Sequence, residues 1–180
     1  MIYYSTPWRS DKNIGRANNE FMSLVPDGAW VCIADGDAMW LRPDWGRCVE
    51  QVVEANPTFA LIGCMTNRQG WTDQLYDGNF DDVCNAFKCH AKANEAWNNY
   101  GTKVDDTQRI SGLCMIFRKD IWEKVGGFKE HTRHADAEFS KSMKSKGLKI
   151  GIARGLYMMH GYRLWEPDQS RARSSYRHLT

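Results

Sequence analysis

A single α/β domain is the fold the sequence predicts, on three observations. Trp30-Val31-Cys32-Ile33-Ala34 is an apolar run without polar alternation, which suits a strand buried on both faces in a mainly parallel sheet. Runs of this kind recur along the chain and alternate with helical patterns, so that it opens as β-α-β. At 180 residues the chain can bury a core without disulfide or metal staples, and residues 1–180 are expected to form one compact domain.

The elements follow in order. Ile2 to Ser5 reads as a short strand, and Thr6-Pro7-Trp8-Arg9-Ser10-Asp11 breaks it with turn formers. A loop after a strand is a natural ligand loop. From Asn13 the apolar positions recur at helical spacing up to Val25, where Pro26-Asp27-Gly28 ends the helix. After the strand at 30–34, Pro43 to Glu54 forms a second helix with Pro43 in its first turn and Asn56-Pro57 at its end. Phe59 to Cys64 is another buried strand. The polar stretch Thr66 to Asn79, with Gly70, Trp71 and Gly78, reads as a long irregular excursion of the sort that binds ligands or is disordered. Phe80 to Tyr100 is expected to be helical despite many Asn and Asp residues. Ser111 to Phe117 is a strand, and Lys119 to Val125 is a short helix closed by Gly126-Gly127. Ala135, Phe139 and Met143 share one helical face, and that helix stops at Lys146-Gly147. Two short strands, Lys149 to Ala153 and Leu156 to Met159, lead to His160. The Arg- and Ser-rich residues 164–180 are expected to be a mobile tail.

Composition excludes several classes. A formal net charge of +2 does not announce a nucleic-acid binder. The six cysteines include no CxxC pair, so reduced thiols are expected. Cys84, Cys89 and His90 fit no common zinc spacing and read as helix packing. No apolar run is long enough to cross a bilayer, and Met1-Ile2-Tyr3-Tyr4-Ser5 lacks the form of a signal peptide. A soluble, cytoplasmic protein is the expectation.

The chemistry centres on Asp35-Gly36-Asp37. In open α/β sheets ligands bind outside the carboxyl ends of the strands. Two carboxylates there can hold a hard divalent cation with room left for a substrate phosphate. A plain Asp-Gly turn is the alternative. Thr6, Arg9, Asn13 and Arg16 border the first strand and the first helix N-terminus and are candidates for a nucleotide and its phosphates. Arg163 could reach a diphosphate from the other side, and Trp71 could offer a flat face to a sugar or base.

The order of segments carries a resemblance. Asp35-Gly36-Asp37 at a strand end, then Ser111-Gly112-Leu113-Cys114-Met115-Ile116-Phe117 running on to Val125-Gly126-Gly127-Phe128, then Asp136 opening a helix, then a strand ending in His160, resembles the GT-A glycosyltransferases of the family 2 type. The likeness runs in outline from Asn13 to Arg163 and is most specific from Gly112 to Phe128. It implies a three-layer α/β/α fold with a mixed, mainly parallel sheet. It also implies a nucleoside-diphosphate sugar donor, with a UDP-sugar the first choice, a divalent Mn2+ or Mg2+, and transfer of the sugar to an acceptor hydroxyl. Asp37 is then the first metal ligand. Asp35 is either aimed at the ribose or shares the metal, and His160 is the third ligand. Gly112 sits where the family brings backbone close to the donor sugar. Asp136 matches the family's catalytic carboxylate and would be the base of an inverting transfer, although Ala135 replaces the acidic residue that usually precedes it; a helix cap is the alternative, with Glu138 the substitute base. The front of the chain departs from the family, for Ser5 leads almost directly to the helix at Asn13, without the strand, helix and nucleobase-reading aspartate that members carry there.

Two other functions compete. A nucleotidyltransferase of the same fold would want a Gly-rich phosphate loop after the first strand, and Thr6 to Lys12 has no glycine. A nucleic-acid-binding module would use Arg171, Arg173, Arg177 and His178, either alone or to steer an enzyme to modified DNA. The acceptor could thus be a saccharide, a protein or a modified nucleic acid.

Overall fold

The apolar run expected to be a buried strand is one. In the computed structural model, which describes residues 1–78, 80 and 85–164, Trp30–Ala34 forms β2, with Val31, Cys32 and Ile33 buried. The described elements are β1 (Ile2–Ser5), α1 (Ile14–Leu24), β2, β3 (Ala38–Trp40), α2 (Trp45–Ala55), β4 (Phe59–Thr66), a 3-10 turn (Thr72–Gln74), α3 (Ala86–Tyr100), β5 (Val104–Asp106), β6 (Cys114–Arg118), α4 (Lys119–Val125), α5 (Ala135–Ser145) and β7 (Lys149–His160). The strands make a seven-stranded sheet in the order β1-β2-β6-β4-β7-β3, with β5 beside β7. The fold is therefore mixed α/β, as expected. Its antiparallel share is larger than the continuous apolar strands suggested: β1 and β2 are parallel, whereas the described ladders β2/β6, β4/β6 and β3/β7 are antiparallel. Burial on both faces makes a strand apolar throughout whichever way its neighbours run.

By contacts the chain divides into two compact units. The first comprises Met1–Gly36, Asn56–Gly63 and Asp106–Gly151. Asn13 caps α1, its side-chain oxygen accepting from the Arg16 N–H at 3.2 Å. On β6 the run Cys114, Met115, Ile116 and Phe117 is buried against β2. The Phe117 ring meets Phe139 of α5 at 5.1 Å and Phe128 at 5.9 Å, and Phe128 and Phe139 stack at 4.0 Å between centroids. Ala135, Phe139 and Met143 are the buried face of α5, as their spacing predicts. The helix-ending pair works as read: Gly126 and Gly127 take φ of 86° and 78°, a region costly for any residue with a Cβ. Asn19 of α1 then fastens this turn. Its oxygen accepts from the Phe128 N–H at 2.8 Å and the Trp122 indole at 3.1 Å, and its amide donates to the Phe128 carbonyl at 2.9 Å. Cys32 and Cys114 lie 3.8 Å apart, sulfur to sulfur, and that contact together with burial pushes the Cys32 thiol well up.

The second unit comprises Asp37–Ala55, Cys64–Asp105 and the described part of Ile152–Thr180. Strand β3, which the sequence reading did not expect, pairs with β7 and ends at Trp40, stacked on Trp45 at 5.4 Å. Pro43 lies just before α2 and not within it, because the Asp44 carbonyl starts the helix by accepting from the Cys48 N–H. Cys48, Val49, Val52 and Val53 are the face α2 buries. The polar stretch after Thr66 is irregular, as read, with Thr72, Asp73, Asp77 and Gly78 exposed, but its first part is inside the protein. Thr66, Asn67, Arg68, Gln69 and Gln74 are all buried, and Gln74 donates to the Cys64 carbonyl at 2.9 Å. Helix α3 starts at Ala86, six residues later than its pattern suggested, because Asn85 caps it through the Lys88 N–H. The two last strands are one: Arg154-Gly155 continues β7, since Gly155 lies so close to Gly101 that a Cβ would stand 2.0 Å from its carbonyl oxygen. The proposed tail, apart from Leu164, lies outside the described residues, as does Cys84.

Asn19→Ala is expected to lower unfolding stability by about 2 kcal/mol, since it strands a backbone N–H and an indole N–H that are both partly buried. Urea denaturation measures this, and an unchanged midpoint would remove Asn19 from the account of the glycine turn.

Candidate functional site

Backbone pairing brings Asp37 to His160. β3 begins immediately after Asp37, its first residue Ala38 is registered with His160 at the end of β7, and the Gly161 N–H donates to the Asp37 carbonyl at 2.8 Å. The side chains meet as a result, with His160 Nε2 3.2 Å from Asp37 Oδ1. His160 is 4% exposed. Its Nδ1 is 2.8 Å from the Arg68 carbonyl, and its backbone N–H donates to the Asn67 side-chain oxygen at 2.8 Å. A carbonyl can only accept, so Nδ1 carries the ring proton and neutral His160 turns the lone pair of Nε2 toward Asp37. Only when the ring takes a second proton, on Nε2, can it donate to Asp37, and that hydrogen bond holds the Asp37 carboxyl below the usual range, against the opposing effect of its partial burial.

Asp35 is set in the first unit. It ends the β2 segment, its N–H donating to the Leu113 carbonyl at 3.1 Å, next to Gly112. The Gly112 N–H donates to Asp136 Oδ2 at 2.9 Å. A Cβ on Gly112 would stand 3.6 Å from Asp35 Oδ1 and 3.7 Å from the Asp136 Cβ, so both carboxylate residues border the same bare stretch of backbone. Gly36 in turn faces the Thr6 methyl, which a Cβ would meet at 3.5 Å. Asp136 is the second residue of α5, yet its carboxylate serves the Gly112 N–H, a role the cap alternative did not foresee.

Ligand atoms of Asp35, Asp37 and His160 lie within 4.8 Å of one another, which makes these residues a candidate metal site. Two carboxylates and an imidazole lone pair are a donor set that suits Mn2+, and the carboxylates suit Mg2+ as well.

The remaining candidates have other partners. The Arg9 guanidinium is held by Glu20 at 2.6 Å and by Asp11 at 3.1 Å, and those contacts lower both carboxyl groups. Arg16 pairs with Glu20 at 3.1 Å. Asn13 serves as the cap of α1 and also accepts from the His131 N–H at 3.2 Å. Glu138 faces Lys129 at 3.8 Å. Arg163 lies over the Tyr162 ring at 5.3 Å. The basic cluster at Arg171, Arg173, Arg177 and His178 lies outside the described residues. What sequence reasoning missed is the Asn67-Arg68 pair behind His160. Two polar residues in a polar stretch give no periodic signal; the only trace is the buried strand that runs straight into them.

Comparison with known proteins places the fold. No family model matches the chain, and no curated protein matches it. Among solved structures it is similar to a mannosyltransferase from Pyrobaculum calidifontis in complex with GDP-mannose and Mn2+, at a TM-score of 0.57 and 18% identity. The match covers 89% of this chain and 39% of the other, so the chain spans well under half the length of that enzyme. The likeness is one of fold. Among the described residues no helix is long and apolar enough to cross a membrane.

Asp136→Ala is expected to cost about 1–2 kcal/mol, because the Gly112 N–H loses its acceptor. Asp136→Asn, whose amide oxygen can still accept, should stay near wild type in the same denaturant titration. Equal losses for both would mean that charge, not the hydrogen bond, holds the loop.

Proposed function

We propose that this chain is a metal-dependent glycosyltransferase that moves a sugar from a nucleoside-diphosphate donor to an acceptor hydroxyl. The observation that carries the reading is the Asp35, Asp37 and His160 donor set on a fold shared with an enzyme that binds GDP-mannose and Mn2+. Asp35, Asp37 and His160 would hold Mn2+ or Mg2+, which when bound would supply positive charge for the departing diphosphate.

The chain's own residues do the rest. Gly112, bare of a side chain between Asp35 and Asp136, leaves room for the donor sugar against the backbone. Asp136 is the base of an inverting transfer. The acceptor oxygen attacks the anomeric carbon, the bond from that carbon to the diphosphate oxygen breaks, and the hydroxyl proton passes to Asp136. The hydrogen bond from the Gly112 N–H fixes Oδ2, so Oδ1 is the oxygen that takes the proton. Thr6, whose methyl lies beside Gly36, is assigned to the donor. Arg9 and Arg16 reach a phosphate only by giving up Glu20, and the nucleobase is left to a donor screen with UDP- and GDP-sugars side by side.

Donor binding is expected to need a divalent cation, because Asp35 and Asp37 would otherwise repel a diphosphate. Calorimetry with Mn2+ and then EDTA tests it, and undiminished donor affinity in chelator would take the metal out of the reaction. Asp37→Asn should weaken metal and donor together.

Asp136→Asn should lower turnover by roughly two orders of magnitude, the ordinary scale of general-base catalysis, while donor and metal affinities hold. Release of nucleoside diphosphate per folded molecule is the measure. Unchanged turnover would make Asp136 a loop fastener alone.

A further inference from the structure

Arg68 is a fully buried cation, 0% exposed, flanked by the buried neutral residues Asn67 and Gln69. Taking a guanidinium out of water is costly, and such a group persists where its donors and its charge are both satisfied. Its Nε and Nη2 donate to the Tyr162 carbonyl at 3.1 and 3.0 Å, and its carbon centre lies 4.5 Å over the Phe80 ring. The same residue's carbonyl receives the proton of His160 Nδ1 at 2.8 Å, and its neighbour Asn67 receives the His160 backbone N–H at 2.8 Å. The Tyr162 ring closes the group, 5.5 Å from His160 and 6.3 Å from Phe80 between centroids. Asn67-Arg68 thus grips the segment from His160 to Tyr162 at three points: the backbone of His160, its ring, and the carbonyl two residues on. A metal-binding imidazole generally needs such an outer partner on its other nitrogen, which sets the tautomer and the ring's direction.

We propose that Arg68 is a positioning residue for His160: its guanidinium ties the chain just past the histidine to the strand end whose carbonyl holds the ring, so that Nε2 faces Asp37 ready for a cation. The assignment rests on the metal reading given above. A lysine could carry the charge but not the fork, which places two donors on one carbonyl. A hydrophobe could fill the volume but would leave the Tyr162 carbonyl without these bonds.

The test has a part that needs neither metal nor substitution. Nitrogen-15 NMR of the metal-free wild-type chain should show His160 as the Nδ1–H tautomer when neutral; a dominant Nε2–H form would overturn the proposal. Arg68→Lys and Arg68→Met are then compared with wild type for Mn2+ affinity by paramagnetic resonance and for the His160 tautomer. Affinity is expected to fall about tenfold to a hundredfold in Arg68→Met, the usual cost of losing an outer partner. Arg68→Lys should fall between, and Nε2–H signal should appear alongside. Wild-type affinity and an unmixed tautomer in a folded Arg68 variant would overturn the proposal, and if Arg68→Met does not fold, Arg68→Lys decides. A wild-type chain with the expected tautomer but no affinity for Mn2+ or Mg2+ would instead sink the metal reading, while the metal-free spectra of wild type and variants would still decide whether Arg68 holds the ring.

Discussion

One hydrogen bond decides what His160 can do. With the Arg68 carbonyl 2.8 Å from Nδ1, the imidazole must spend its proton there, and the nitrogen that looks toward Asp37 is left with a lone pair. Two lone-pair bearers 3.2 Å apart are an awkward pair in a metal-free protein unless a proton or a cation comes between them. The geometry therefore stores a demand for positive charge at the end of β7. The pairing of β3 with β7 enforces it, because the register Ala38 to His160 leaves Asp37 no route away from the ring short of breaking a ladder.

Around Gly112 the economy is different. There a single N–H orients a carboxylate, and the absence of a side chain keeps two acidic residues beside open backbone. Asp136 gains its fixed direction from a loop in another part of the sequence and not from its own helix, so an aspartate early in a helix need not be a cap. A carboxylate held by one oxygen keeps the other for chemistry, whereas one engaged at both, as the Arg9 partners are, has little left to offer a substrate.

Much of this was legible in the sequence because it is periodic or conformational. The β2 run, the apolar face of α5 and the glycine pair after α4 each impose a pattern that survives in one dimension, and each element stands where it was read. Asp35 and Asp37 could be singled out for the same reason, as carboxylates at the abrupt end of an apolar strand, whereas His160 was singled out through the resemblance. The strands β3 and β5 are too short to leave a pattern and exist because β7 is there to pair with them. The break expected at Arg154-Gly155 failed because glycine there answers to a neighbouring backbone and not to a turn. Burial of Arg68 is a tertiary property altogether: nothing local distinguishes an arginine bonded inside the protein from one in water.

The turn at Gly126-Gly127-Phe128, the stretch most responsible for the resemblance, finds its partners in the scaffold. Its glycines satisfy backbone angles, its phenylalanine fills a ring stack, and Asn19 binds it to α1. It is thus a signature of scaffold and not of chemistry. Substitution of Asp35, Asp37 or Asp136 would leave every one of these contacts in place, so the turn reports that the scaffold is whole and is silent on whether the site is.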